Sequence, residues 1–336
     1  AMSTPEDILG PATTYIRIYF LGVIGNLIYN MGAGILRAVG DSKRPLYFLI
    51  ASCLTNIVLD IAFVIGLHMG VAGAALATIL SQALSAVLVL WVLMRTKDMH
   101  RLELRKIRFD GRMFRRIIRI GLPAGLQSVM YTSSNILIQS SVNELGTDTV
   151  AAWTAYSKID SLFWMIVNAF GISITTFVGQ NLGRGNEPRA RQGVRRALAI
   201  AVAATVLVMI PVLVFAPQMT AFFNRKPEVV AYGALLLRCI SPFYVLCCFN
   251  QVYAAALRGA GNSKATMIIM LCSFVLFRQV YLFIMSHYIS HELIPLVMGY
   301  PAGWLVCSAA TLIYYRRTSF LSTRLVAEDG SKEDIQ

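Results

Sequence analysis

Long apolar stretches constrain this chain more than any other feature, because each is long enough to cross the roughly 30 Å hydrocarbon core of a bilayer as a helix. Hydrophobic residues make up 57% of the 336 residues and charged residues only 14%. A soluble domain of this length could not bury so much apolar surface. We therefore expect an all-α integral membrane protein with nine transmembrane helices. The stretches lie near residues 12–36, 45–67, 71–94, 120–142, 150–180, 197–223, 229–256, 265–287 and 293–315.

A short phrase of the sequence occurs twice. LRAVGDSK at residues 36–43 returns as LRGAGNSK at residues 257–264, and each copy closes one apolar stretch and opens another. Internal duplication is typical of membrane transporters. Both copies fall in basic loops on one side of the membrane, so the two halves of the protein have the same orientation. Each half must then contain an even number of helices, because the chain returns to the same side before the second half begins. Three stretches between the copies have no upstream counterpart. We therefore predict two six-helix halves, of which this chain lacks the first three helices.

The basic residues are concentrated in alternate loops. They lie in the two repeated loops, in residues 95–119, in residues 184–196 and in the tail, whereas the other connections are nearly free of them. By the positive-inside rule, the basic loops and the C-terminus are cytoplasmic and the N-terminus is outside. The net charge of +13 therefore indicates membrane orientation rather than nucleic-acid binding. We expect a multi-pass membrane protein with no nucleic-acid partner.

These patterns divide the chain into four parts. We predict a partial N-terminal lobe over 1–94, a basic cytoplasmic linker over 95–119, a six-helix C-terminal lobe over 120–318 and a polar cytoplasmic tail over 319–336. Arginines recur at helical spacing within the linker, as in an interfacial helix lying on anionic headgroups. A solvated linker that follows the positive-inside bias explains them equally well.

Only two carboxylates, Asp60 and Asp160, lie within the apolar stretches. An ionisable group in hydrocarbon is costly, so each is expected to face a cavity or a partner. Asn56 lies one helical turn before Asp60, on the same face. A carboxylate there can hold a proton or offer oxygen ligands to a small cation, and we favour this over helix-joining hydrogen bonds. Polar side chains of the neighbouring stretches complete the predicted coupling site: Tyr15, Asn30 and Thr78.

A second polar group falls in the other half, where we expect a substrate cavity. Asp160 needs a partner, for which Arg238 and Arg278 are candidates, and a structural ion pair is the favoured interpretation. The residues predicted for this cavity are Asp160, Arg278, Gln251 and Tyr131. The aromatic residues Phe163, Trp164, Phe170 and Phe177 could line it as well, although packing against lipid is their default role. No spacing of the six cysteines suggests a metal site or a disulfide, and we expect no cofactor.

Several separated segments resemble the multidrug and toxic compound extrusion (MATE) family of cation-coupled exporters. They are LRAVGDSKRP, NIVLD, GVAGAALATILSQ, GLPAGLQSV and FVGQNLGRGN, and the resemblance spans residues 8–318. It implies a fold of twelve helices in two six-helix lobes, of which this chain carries helices four to twelve. The proton-coupled branch has a polar network that the resemblance places at Tyr15, Asn30, Asn56, Asp60 and Thr78. The sodium-coupled branch has two acidic residues at the positions where this chain has Tyr131 and Cys247. The expected coupling ion is therefore H⁺ rather than Na⁺.

The resemblance implies a secondary antiporter of the bacterial plasma membrane that exports small organic compounds, often cationic, by alternating access. It also implies a monomer surrounded by membrane lipid. A lipid-linked precursor flippase of the same superfamily is an alternative, but it needs a cation-rich cavity. A receptor or channel is a further alternative that the duplication disfavours. No H-E-x-x-H or G-x-S-x-G motif is present, so we do not expect an enzyme.

Overall fold

The computed structural model describes residues 6–143, 146–289 and 293–318, and all regular structure in these ranges is helical. The chain separates into two compact units, Ala1–Phe109 (unit 1) and Asp110–Gln336 (unit 2). Unit 1 contains α1 (Glu6–Ala38), α2 (Lys43–Asp60) and α3 (Gly70–Arg95). The helices of unit 2 are α4 (Gly111–Asn143), α5 (Thr147–Gly183), α6 (Glu187–Val214), α7 (Ala216–Phe223), α8 (Pro227–Ile240), α9 (Tyr244–Gly259), α10 (Ser263–Leu271), α11 (Arg278–Ile284), α12 (Leu293–Val297) and α13 (Gly299–Arg317).

Within the described residues, eight helical stretches are long and apolar enough to cross a membrane. They confirm the predicted all-α membrane fold and coincide with eight of the nine predicted spans. The ninth, 120–142, is helical as part of α4 but is not among the eight. Its polar residues lower its hydropathy, and its N-terminal turns carry several arginines. The predicted tail over 319–336 lies outside the described residues.

Glycines allow α1 to pack closely against α3. A Cβ on Gly22 would lie 2.2 Å from Cγ2 of Ile79, and one on Gly32 would lie 2.7 Å from Cγ2 of Val89. Small residues at such positions let membrane helices approach one another, because lipid supplies no hydrophobic force between them. Side-chain hydroxyls fix α2 in the same unit: Tyr29 donates to the carbonyl oxygen of Pro45 at 3.0 Å, and Ser52 donates to that of Ser81 at 2.6 Å.

The two repeated phrases fold into the same turn. The glycine of each phrase has a positive φ, 94° at Gly40 and 87° at Gly261, a conformation that glycine adopts without steric cost. The N–H of the following residue donates to the carbonyl five residues earlier, which closes the helix end as a Schellman motif. These bonds join Asp41 to Leu36 and Asn262 to Leu257, both at 2.9 Å.

A third copy of this turn follows α5, where the sequence analysis found none. Gly185 has a φ of 77°, and the N–H of Asn186 donates to the carbonyl of Asn181 at 2.9 Å. In all three turns the residue after the glycine then caps the next helix, since its side chain accepts a bond from a backbone N–H three residues later. These caps are Asp41 to Arg44, Asn186 to Arg189 and Asn262 to Ala265.

A separate interfacial helix does not form within residues 95–119, since residues 96–110 are not α-helical and residues 111–119 are the first turns of α4. The segment between α3 and α4 contains a single 3₁₀ turn, Leu104–Lys106. A hydrogen bond from Lys106 spans this turn, and it lowers the pKa of the Glu103 carboxyl. The Asp110 side chain accepts bonds from the backbone N–H of Arg112 at 2.8 Å and of Met113 at 3.1 Å, so α4 begins there rather than further upstream.

Unit 2 is organised around α5, which packs against α6, α8 and α9. The contact with α9 is close because a Cβ on Gly259 would lie 2.6 Å from the carbonyl oxygen of Thr175. The Thr175 hydroxyl also bonds the carbonyl of Ala255 at 3.1 Å. On its other side α9 meets α13, where Ser308 donates to the carbonyl of Leu246 at 2.7 Å. These backbone approaches leave the polar faces of α4, α5 and α9 to line a cavity.

Candidate functional site

The predicted coupling residues of unit 1 begin with Asp60, the last residue of α2. The helix continues from there as a π-helix, Ile61–Gly66. Wider turns of this kind are uncommon and often mark functional positions. Asn56 lies one turn earlier on the same face. The structure therefore places the predicted carboxylate and amide side by side on one helix, at a change of backbone geometry.

Three polar atoms in this part of unit 1 are buried without a hydrogen-bond partner among the described residues. They are Oδ1 of Asp60, Nδ2 of Asn56 and Oε1 of Gln82 on α3. A buried polar group without a partner costs free energy, more so when it is charged. A proton or a bound cation would satisfy the Asp60 oxygen.

The other three predicted coupling residues do not close a network with Asp60. Thr78 donates to the carbonyl of Ala74 at 2.9 Å, within its own helix. Asn30 is exposed and donates to Oδ1 of Asn26 at 2.6 Å. Tyr15 stacks on Tyr19 with ring centroids 6.1 Å apart. In the described part of the chain, no hydrogen bond joins any of these three to Asp60 or Asn56.

The cavity lies in unit 2 and has a volume of about 670 Å³. Its walls come from α4, α5, α9, α10, the π-helix that follows α10, and α13. The lining side chains are Ala124, Gln127, Ser128, Tyr131, Thr132, Asn135, Gln139, Trp153, Tyr156, Ser157, Asp160, Trp164, Asn168, Gln251, Arg258, Met270, Leu271, Phe274, Val275, Tyr300 and Trp304. Three of the four residues that the sequence predicted for a substrate cavity are among them: Asp160, Gln251 and Tyr131.

Asp160 lines the cavity but has a different partner from the one expected. Its Oδ1 accepts a hydrogen bond of 2.6 Å from the hydroxyl of Tyr244, whose oxygen lies 3.5 Å from that of Tyr156. The predicted ion pair with Arg238 or Arg278 is wrong, because no ion pair of Asp160 occurs among the described residues. Tyr244 on α9 and Tyr156, one turn before Asp160 on α5, thus place hydroxyl groups beside the carboxylate.

Arg278 lies directly behind the cavity wall rather than in it. Its side chain is 1% exposed, and its Nη2 donates to Oγ of Ser134 at 2.5 Å and to Oδ1 of Asn135 at 3.0 Å. The guanidinium carbon lies 4.8 Å from the ring centroid of Tyr300 and 5.6 Å from that of Tyr131, which are cation–π distances. Like Asp60, Arg278 lies at a boundary between α- and π-helix, since the π-helix Cys272–Phe277 ends just before it.

An aromatic wall closes part of the cavity. Tyr300 contacts Trp153 and Trp304, with ring centroids 5.9 Å and 6.1 Å apart, and Trp164 meets Trp304 edge to face at 6.4 Å. Of the four aromatic residues singled out in the sequence, only Trp164 lines this cavity. Phe163 is buried and stacks on Tyr244 at 4.0 Å. The remaining two, Phe170 and Phe177, line a separate groove between α5 and α6.

Most of the contribution of α4 was not predicted, since Tyr131 was the one residue of this helix that the sequence placed in the cavity. Polar side chains recur along it at three- and four-residue spacing, which is one face of a helix. They are Gln127, Ser128, Tyr131, Thr132, Asn135 and Gln139. This polar stripe within an otherwise apolar segment was a signal available in the sequence. Arg258 was also missed, because its place in the repeated phrase suggested only a loop cation.

Comparison with known proteins agrees with this architecture. The MatE family profile matches residues 1–62 and 123–284. The probable multidrug resistance protein YpnP of Bacillus subtilis (strain 168) is 30% identical over 327 residues, which cover 97% of this chain and 73% of that protein. The probable multidrug resistance protein NorM of Thermotoga maritima is 24% identical over 333 residues, covering 97% and 71%.

A solved structure, described as the outward-facing conformation of a multidrug resistance MATE family transporter of the MOP superfamily, shares the fold. It superposes with a TM-score of 0.88 at 24% identity, over 96% of this chain and 72% of that one. The family match extends over more than half of the sequence and agrees with the apolar helices and the duplicated turn. The chain is therefore a multi-pass membrane protein that belongs to the MATE family of transporters.

Proposed function

We propose that the protein exports amphipathic organic compounds by secondary antiport with protons, through alternating access. The relatives named as multidrug resistance proteins support export of small molecules. A cavity of about 670 Å³ lined by aromatic and polar side chains supports binding of a drug-sized compound. In the family that the chain resembles, the exported compounds are often cationic. On this proposal the protein is not an enzyme and needs no cofactor.

The observation that carries the coupling proposal is the buried carboxylate oxygen Oδ1 of Asp60, which has no hydrogen-bond partner among the described residues. A charge in the apolar part of a membrane protein is costly, so the few that occur there usually have a function. Proton binding would remove this charge, and proton release would restore it. The two states of Asp60 would then differ in their hydrogen bonds with Asn56 at the α/π boundary of the helix. A difference of this kind can bias a conformational equilibrium.

We propose H⁺ rather than Na⁺ as the coupling ion. By resemblance, the sodium-coupled branch places carboxylates where this chain has Tyr131 and Cys247. A thiol is a soft ligand and does not suit a hard cation such as Na⁺. Cys247 is also fully buried. The remaining carboxylate of that region, Asp160, accepts its hydrogen bond from Tyr244.

The proposal includes a location and an orientation. The protein would lie in a bacterial plasma membrane as a monomer surrounded by lipid, with its basic loops and C-terminus in the cytoplasm and its N-terminus outside. Nucleic acid has no part in it. The positions of the arginines in the loops support this orientation.

Dye uptake by proteoliposomes tests the proposed function. The full chain is reconstituted, and amphipathic dyes of both charge signs are added outside vesicles that have an acidic lumen. Export by proton antiport predicts uptake that a protonophore abolishes and that a sodium gradient of the same size does not replace. Protein-free vesicles correct for passive accumulation. Uptake that follows the sodium gradient, or no uptake of any dye above this control, would contradict the proposal.

A further inference from the structure

The cavity of unit 2 carries more positive than negative charge. Among the described residues that line it, Asp160 is the only carboxylate and Arg258 is the only cation. Arg278 adds a second guanidinium immediately behind the wall, because three residues in contact with it, Tyr131, Asn135 and Tyr300, also line the cavity. A guanidinium stays protonated in proteins, so both positive charges persist at any physiological pH.

No described residue forms an ion pair that balances the charge of Arg278. The side chain is 1% exposed, and its Nε and Nη1 atoms are buried without hydrogen-bond partners. No ion pair of Arg278 occurs within residues 6–143, 146–289 and 293–318. Its contacts are neutral: Ser134, Asn135 and two tyrosine rings. A cation buried without a carboxylate is costly, and an anionic group nearby would lower that cost.

Asp160 does not supply this counter-charge. Its carboxylate is held by the Tyr244 hydroxyl at 2.6 Å and lies beyond ion-pair distance of both arginines. Arg258 lies two turns after Gln251 on one face of α9, and both side chains reach the cavity. The cavity therefore has an uncompensated positive region within an apolar surrounding, where charge interactions are weakly screened.

We propose that this cavity selects amphipathic compounds that carry an acidic group, such as a carboxylate, sulfonate or phosphate. The acidic group would be attracted by Arg258 and by the field of Arg278, and a flat ring body would pack on the aromatic wall of Trp164, Tyr300 and Trp304. This inference rests on the proposed export function, since it names the class of compound exported. An acidic substrate differs from the cationic substrates that the family resemblance leads one to expect.

Two dyes with the same three-ring body and opposite charge test the proposal. Fluorescein is anionic, and rhodamine 6G is a cation. Their binding to the full chain in nanodiscs is measured by fluorescence anisotropy, without any ion gradient, and empty nanodiscs correct for partition into lipid. We expect fluorescein to bind more tightly than rhodamine 6G. Arg258→Gln and Arg278→Gln should each weaken fluorescein binding about tenfold, roughly the effect of one lost charge contact, and leave rhodamine 6G binding equal or stronger.

Matched variants separate charge from folding. Arg238 on α8 is exposed and outside the cavity, so Arg238→Gln changes the net charge equally and should alter neither affinity. Arg278→Lys keeps the charge and should preserve the preference for fluorescein. If Arg278→Gln fails to fold, the effect of Arg258→Gln on fluorescein binding alone tests the inference. Tighter binding of rhodamine 6G, or equal responses of the two dyes to Arg258→Gln, would overturn the inference.

The binding result and the transport result can fail separately. Gradient-driven uptake of dye without any preference for fluorescein in binding would overturn the inference and leave the exporter proposal standing. Selective fluorescein binding that depends on Arg258, with no uptake of either dye, would support the inference about the site and overturn the exporter proposal.

Discussion

The hydroxyl of Tyr244 donates a 2.6 Å hydrogen bond to the carboxylate of Asp160, and this bond joins α9 to α5 at the edge of the cavity. The same tyrosine ring stacks on Phe163 with centroids 4.0 Å apart, so stacking fixes the direction of the hydroxyl. The carboxylate is thereby held by a neutral donor rather than by a cation. Its charge remains part of the cavity's electrostatics.

Tyr244→Phe should destabilise the protein, because it removes the 2.6 Å hydrogen bond to Asp160 and keeps the stacked ring. A hydrogen bond to a charged group contributes about 2 kcal/mol, so we expect a lower thermal midpoint in detergent. Tyr253→Phe is the matched control: Tyr253 is also buried, and its hydroxyl makes no hydrogen bond in the described residues. Equal midpoints for the two variants would show that the Tyr244 bond contributes nothing to stability.

Gly22→Ala should loosen the contact between α1 and α3. The added methyl would lie 2.2 Å from Cγ2 of Ile79, so one of the helices must shift. Gly34 lies in the same helix with nothing within 4 Å, and Gly34→Ala should be neutral or gain up to about 1 kcal/mol from helix propensity. Thermal midpoints of the two variants measure the difference. The double variant Gly22→Ala/Ile79→Ala should recover part of the loss; no recovery would argue against this contact.

Gly261→Ala should cost about 1–2 kcal/mol, the penalty of a left-handed backbone conformation for a residue with a side chain. The φ of 87° at Gly261 is the reason. Gly125→Ala in α4 serves as the control, since its φ is ordinary and its surroundings are open. Unfolding midpoints should fall for the first variant only. A fall of equal size in both would mean that the turn imposes no backbone requirement.

Much of the fold was predictable because lipid restricts a spanning chain to a few solutions. The apolar stretches predicted the helices, and the repeated phrase predicted two equivalent loops between helices, which the structure shows as the same turn at Gly40 and Gly261. The third turn, at Gly185, escaped because it shares only Gly183, Gly185 and Asn186 with the second phrase. Gly185 and Asn186 nevertheless reproduce the same backbone geometry. The geometry of the turn depends on the glycine and the residue that follows it, and not on the flanking residues.

The site was predicted less completely. Single residues such as Asp60 and Asp160 stood out because charge is rare in apolar segments. Their partners depend on how helices rotate and pack, which periodicity does not specify. The Tyr244 bond to Asp160 joins residues 84 positions apart, and the sequence contained other tyrosines and two arginines that could equally have reached the carboxylate.

Membrane orientation can be tested with a matched pair of cysteines. Arg184 lies in the turn after α5 and Arg225 lies between α7 and α8, and both are exposed. Each is changed to Cys in a background in which Cys53, Cys239 and Cys272 are Ser. A membrane-impermeant maleimide on intact cells should label Arg225→Cys, whereas Arg184→Cys should react only after lysis. The reverse pattern would invert the proposed topology.

Substrate-driven proton release by proteoliposomes tests the central claim most directly. Vesicles containing the full chain are placed in a weakly buffered medium, and a pH electrode follows acidification when a carried dye is added. We predict that Asp60→Asn abolishes this acidification, whereas Asp98→Asn, a change at an exposed loop carboxylate, leaves it intact. Undiminished proton release by Asp60→Asn would contradict the role of Asp60 as the coupling carboxylate.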